Sequence, residues 1–169
     1  MSLRGKILDD PRDQRWIDMV AEFGHAIVKV ADGVDEPTDE PNFAYSLGAF
    51  ESYGAPELII FGLDNEAAAG IINDVMDDYV AGRRFANGLP EQDVVGGGHA
   101  VVFLEADSRK AVDYAIFADW YYERAPFPLW QLVWPAKNGR FPWEAGYPGD
   151  LEGAQPDLTP ASDWGGLKT

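Results

Sequence analysis

FAYSLGAFESYGAPELIIFGL, residues 43–63, is the stretch on which the fold turns. Its first part reads as a strand carrying Tyr45, Ser46 and Gly48. A turn at Gly54 and Pro56 then leads into Leu58-Ile59-Ile60-Phe61. Side chains alternate across a strand, so a run apolar at every position must be covered on both faces and belongs inside the core. The same alternation sends Tyr45 and Ser46 to opposite faces, so at most one of them serves a given cavity.

Upstream, Asp10 caps a helix that has Pro11 in its first turn and stops at Gly24, with Trp16, Val20 and Phe23 on one face. A strand over His25–Val30 follows, then an acidic, proline-broken loop from Asp32 to Pro41. Downstream, Asp64 caps a second helix that runs to Gly82, its inner face lined by Ala68, Ile71, Ile72, Val75 and Tyr79 at helical spacing. Residues 83–98 read as a long loop, His99–Glu105 as a strand, and Ser108 as the cap of one helix reaching about Tyr122. A last strand, Leu129–Trp134, gives way to a tail rich in Gly, Pro and Trp. Consecutive strands joined by short links favour antiparallel pairing. The expected fold is therefore a single α+β domain over residues 1–169: a central, mostly antiparallel sheet of about five strands, about three helices and a long irregular C-terminal tail. Its core is expected over about residues 10–155, with 156–169 loosely held.

A chain of 169 residues buries roughly two-thirds of its unfolded surface, enough for a self-sufficient core. The absence of cysteine removes disulfides, thiolate metal sites and a cysteine nucleophile together. With 29 acidic against 13 basic residues the net charge is −16, which repels phosphate backbones and anionic membranes. No apolar run has the length of a membrane span and no signal core is visible at the N-terminus, so the cytoplasm is the expected location.

Several pieces in order, Phe43-Ala44-Tyr45 with Gly48, Pro56-Glu57-Leu58, and Gln131-Leu132-Val133-Trp134-Pro135 followed by Phe141-Pro142-Trp143, resemble the bacterial domain of unknown function 4262 family. The resemblance runs from about Gly24 to Pro156 and implies an architecture and a cytosolic bacterial setting, but no reaction. Two positions depart from the pattern. Ala55 stands where a His usually precedes Pro-Glu-Leu, and Ala136 where an Asp usually follows Trp-Pro. If those polar groups shared an active site, this chain has lost it.

The candidate binding residues are Tyr45, Ser46, Arg83, Arg84, His99 and Trp134. Tyr45 and Ser46 offer hydroxyls from the central strand. Arg83 and Arg84, just beyond the Gly82 stop, could clamp a phosphate or carboxylate, or simply complement the helix dipole. His99 follows three glycines that allow close backbone approach to a ligand. Trp134 could stack on a ring. His25, beside a helix stop, reads as structural. Asp74, Asp77 and Asp78 lie on the solvent side of the second helix, so no metal site is expected. There is no Gly-x-Ser-x-Gly elbow, no dinucleotide glycine motif and no phosphate loop, so the catalytic residues are not assignable. These features favour a non-catalytic binding or interaction protein, inhibitor- or immunity-like, with a basic protein or a small molecule as partner and neither nucleic acid nor membrane. The alternative is an enzyme binding flavin mononucleotide (FMN) or another small molecule on a split-barrel-like sheet, with Arg83 and Arg84 on the phosphate and Trp134 on the ring.

Overall fold

The computed structural model describes residues 2–31, 41–161 and 163–167. At its centre lies the apolar run. Strand β3 (Glu57–Phe61) is buried at all five positions. Around it the chain orders β1 (Ala26–Val30), β2 (Phe43–Leu47), β4 (Pro90–Glu91), β5 (Val101–Glu105) and β6 (Leu129–Val133) into one open sheet, β1-β2-β3-β6-β5-β4. Every neighbouring pair is antiparallel except β3–β6, which runs parallel in the register Glu57↔Leu129 to Ile59↔Gln131. The sheet is thus mixed, with six strands rather than five, and the extra strand, β4, is a two-residue piece of the stretch expected as loop.

Both faces are covered. On one, Val28, Tyr45, Ile59 and Phe61 pack with Ile17 and Val20 of helix α1 (Pro11–Phe23) and with Tyr121. On the other, Ala44, Leu58, Ile60, Phe103 and Leu132 meet Ile72 and Met76 of helix α3 (Asn65–Val80). Local chemistry sets the helix ends. Asp10 accepts from the Arg12 amide, Asp64 from the Ala67 amide, and Gly24 closes α1 at φ 94°, with its N–H on the Val20 carbonyl.

A short helix, α2 (Ala49–Tyr53), fills what the sequence presents as the approach to a turn. Gly48 precedes it at φ 90°, and a Cβ there would lie 2.6 Å from Val20 Cγ1, so glycine is required both by the backbone and by the space.

The helix expected over Ser108–Tyr122 is two: α4 (Ser108–Ala111) and α5 (Ile116–Tyr121). The cap of the first is Asp107, which accepts from the Arg109 amide, and not Ser108. The break has a tertiary cause. The Phe117 amide, which in an unbroken helix would reach back to residue 113, donates to the buried Tyr45 hydroxyl at 3.0 Å. The sheet caps α5.

Residues 156–167, expected to be loosely held, are docked where they are described: Leu158, Thr159 and Trp164 are buried. Two glutamines hold the tail. Gln155 makes a reciprocal pair with the Trp134 backbone, both bonds at 3.0 Å, and Gln131 Nε2 donates to the Pro156 carbonyl at 2.7 Å. Phe141 and Trp143 stack at 4.9 Å with Trp164 beyond them, covering Val102, Leu104 and Val133. Residues 162, 168 and 169 of that segment, and the acidic loop expected over 32–41 apart from Pro41, lie outside the described residues.

Candidate functional site

The most polar point of the interior is the carboxylate of Glu57, fully buried at the start of β3. It accepts four hydrogen bonds: from Ser46 Oγ at 2.8 Å, from the amides of Ala49 and Phe50 at 3.2 and 3.0 Å, and from the Tyr122 hydroxyl. Ser46 Oγ in turn accepts from the Leu58 amide at 3.0 Å. Burial pushes the Glu57 carboxyl upward, and the four donors, Tyr122 first, pull against it. Burial likewise drives the Tyr122 phenol upward, reinforced by the neighbouring Glu57 charge. The carboxylate caps α2 and ties β2, α2, β3 and the end of α5 together. Its donors leave it no free lone pair, so its present role is structural. Glu57 was not among the sequence candidates. The signal for it was an acidic residue opening a run with no solvent-facing position, which obliges that residue to be buried and partnered.

The nominated residues are dispersed. Tyr45 is spent on capping α5 and Ser46 on Glu57. Trp134 packs against the sheet with its indole N–H on the Phe61 carbonyl at 2.7 Å. His99 is exposed and has no hydrogen bond among the described residues. Arg83 and Arg84 are engaged separately. Arg83 pairs with Asp78 at 3.1 Å and donates to the Asp93 carbonyl, while Arg84 Cζ lies over the Tyr79 ring, 3.7 Å from its centroid. His25 is a knot between helices, its Nδ1 2.8 Å from the Tyr53 hydroxyl and its Nε2 2.9 Å from Asn73 Oδ1.

Two concavities matter. A cavity of about 120 Å³ opens beneath Arg84, with Ala55, Leu58, Val75, Met76 and Phe103 as its buried walls. A groove of about 540 Å³ lies between the α4–α5 segment and residues 124–130, in the size range of ligand sites. The α4–α5 break, residues 112–115, lies along one wall of that groove. At its edge Glu123 and Arg124 are consecutive non-glycine residues at φ 53° and 62°, a conformation that costs free energy and needs the surrounding fold to hold it. Next to it, Val112, Ile116 and Phe117 are 43, 60 and 38 % exposed, and Phe117 lies between the rings of Trp16 (5.9 Å) and Trp120 (6.3 Å). Among the described residues there is no group of three or more acidic or histidine side chains placed to hold a metal ion. No helix there is long and apolar enough to cross a membrane.

A family model, "Domain of unknown function (DUF4262)", matches residues 19–148, most of the chain, and the protein belongs to that family. No curated protein and no solved structure is significantly similar to it. Ala55 and Ala136, the two positions where the resemblance implies a His and an Asp, do not lie together. Because β3 and β6 are parallel, Ala55, ahead of β3, and Ala136, beyond β6, lie toward opposite ends of the sheet. Six residues of strand separate Ala55 from the level at which β6 ends, about 20 Å at about 3.3 Å per residue. Ala55 lines the cavity below Arg84, whereas Ala136 sits buried in the turn it forms with Arg140.

Proposed function

We propose that this protein is a non-catalytic binding protein of the cytoplasm that holds a basic, amphipathic polypeptide segment against α5 and the adjoining groove, as an inhibitor or immunity protein would. The observation that carries this reading is the exposed apolar face of Val112, Ile116 and Phe117, bordered by Trp16 and Trp120. Contiguous exposed aromatic and aliphatic surface of this kind suits a partner that brings its own apolar face. Charge selects the partner. Residues 112–120 carry Asp113 and Asp119 and no basic residue, on a chain of net charge −16, while Arg109 and Arg124 balance Glu105 and Asp119 along the groove and Arg15 lies over Trp16. A second copy of the same chain would meet like charge there, whereas a lysine- and arginine-rich segment would be drawn in. The polar groups most capable of chemistry, Ser46, Glu57 and Tyr122, are satisfied by one another, which is consistent with a binding role.

Fluorescence anisotropy with a labelled lysine- and arginine-rich amphipathic peptide tests this. Binding is expected at low salt, weakening by about tenfold or more at physiological ionic strength as the charges are screened. It should be lost in Ile116→Asp, a substitution at an exposed position that leaves the core intact. Absence of binding at low salt, equal binding by Ile116→Asp, or a stable homodimer in light scattering that Ile116→Asp disrupts would each overturn the reading.

A further inference from the structure

We infer that the cavity beneath Arg84 is a separate ligand site for a compact aromatic monocarboxylate, with one ring in the apolar chamber and the carboxylate on the guanidinium. Three observations carry this. First, the size is selective. At about 120 Å³ the chamber approaches the volume, on the order of 150 Å³, at which an apolar protein cavity stays dry and takes up benzene. A single six-membered ring is therefore the size the chamber matches.

Second, the buried walls offer a ring no polar competition. Ala55, Leu58, Val75, Met76 and Phe103 are all buried and apolar, and a water there would lack the two to four polar partners it needs. Ala55 contributes only a methyl group to the chamber wall.

Third, a cation is fixed at the open side. Arg84 is exposed while the walls are buried, so it stands between chamber and solvent. Its Nη1 donates to the carbonyls of Tyr79 and Arg83 at 2.8 and 2.9 Å, and its Cζ sits over the Tyr79 ring. Unlike Arg83, it has no carboxylate partner among the described residues. A guanidinium held by stacking and by two carbonyls keeps its remaining N–H edge ready for a bidentate carboxylate. Asp78, on the same helix, is already paired with Arg83.

Titration calorimetry with benzoate, with toluene as its uncharged counterpart, on the full chain and two variants tests the inference. Benzoate should bind in the millimolar range or tighter, as a one-ring ligand allows. Arg84→Gln, at an exposed position, should weaken benzoate by about tenfold or more and leave toluene unchanged, since only the carboxylate uses the guanidinium. Ala55→Leu fills the chamber and should abolish both, with an unchanged circular dichroism spectrum showing that the fold persists. Should that variant misfold, Val75→Phe blocks the same space from α3. No benzoate binding up to about 10 mM, toluene binding as tightly as benzoate, or benzoate binding insensitive to Arg84→Gln or to chamber filling would each overturn the inference. None of these outcomes depends on the α5 surface.

Discussion

Replacing Glu57 by alanine is expected to cost a large part of the stability of the fold, and the cost can be worked from its partners. The substitution leaves the Ala49 and Phe50 amides and the Ser46 and Tyr122 hydroxyls without the acceptor they share. A buried donor left unpaired costs about 1–3 kcal/mol, so the two amides alone account for about 2–6 kcal/mol out of a total stability of about 5–15 kcal/mol. Glu57→Gln should lose less. It keeps the shape and one carbonyl oxygen and relieves the burial of a charge, but turns an NH2 group toward donors.

The two proteins should also differ in pH dependence. Burial raises the folded-state pKa of Glu57 above that of a solvent-exposed glutamate in the unfolded chain. Between those two values the folded protein keeps a proton that the unfolded chain releases. The Glu57 contribution is therefore fully present below the unfolded pKa and is lost as pH rises through the folded one. Urea unfolding followed by circular dichroism, from about pH 4 to pH 8, should show the stability difference between wild type and Glu57→Gln narrowing or reversing with rising pH. Subtracting the variant cancels the repulsion among the other acidic groups, which titrate in both proteins. A loss under about 1 kcal/mol for Glu57→Ala, or a difference that grows with pH, would refute the assignment of Glu57 as the buried keystone of α2.

Tyr45→Phe removes one oxygen and leaves the Phe117 amide without its cap, so a loss of about 1–2 kcal/mol is expected in chemical denaturation, with hydrogen exchange accelerated selectively in residues 116–121. An unchanged exchange rate at Phe117 would show that α5 starts without help from the sheet. Truncation after Gln155 removes buried Leu158 and Trp164 together with the Pro156 bond to Gln131. At about 1.5–3 kcal/mol per buried large side chain it should lower the melting temperature markedly in calorimetry. A truncated chain that melts like the full-length protein would mean that the tail is not part of the core.

Much of the fold was legible because it depends on local rules. The caps at Asp10 and Asp64, the stop at Gly24 and the unbroken apolar run of β3 follow from groups within a few residues of one another. The errors share a cause in distance. Nothing near residue 117 announces that a tyrosine 72 residues earlier will end one helix and begin another. Nothing near residue 156 announces that Gln131 will hold its carbonyl. The candidate sites divide the same way. Arg84 was nominated for its charge, but its neighbour was nominated for the same reason, and only the Tyr79 ring and the Asp78 carboxylate separate the two.

From the sequence alone came the α+β class, the central place of Leu58–Phe61, and the net charge of −16, because composition and periodicity act on every residue wherever it folds. The tertiary structure alone decided that β3 lies parallel to β6, which puts Ala55 and Ala136 toward opposite ends of the sheet. It also decided that a carboxylate could be buried at residue 57, and that a chamber and a cation meet at residues 55 and 84. Those outcomes depend on which distant groups supply donors, fill space or leave it empty, and no window along the chain contains both members of such a pair.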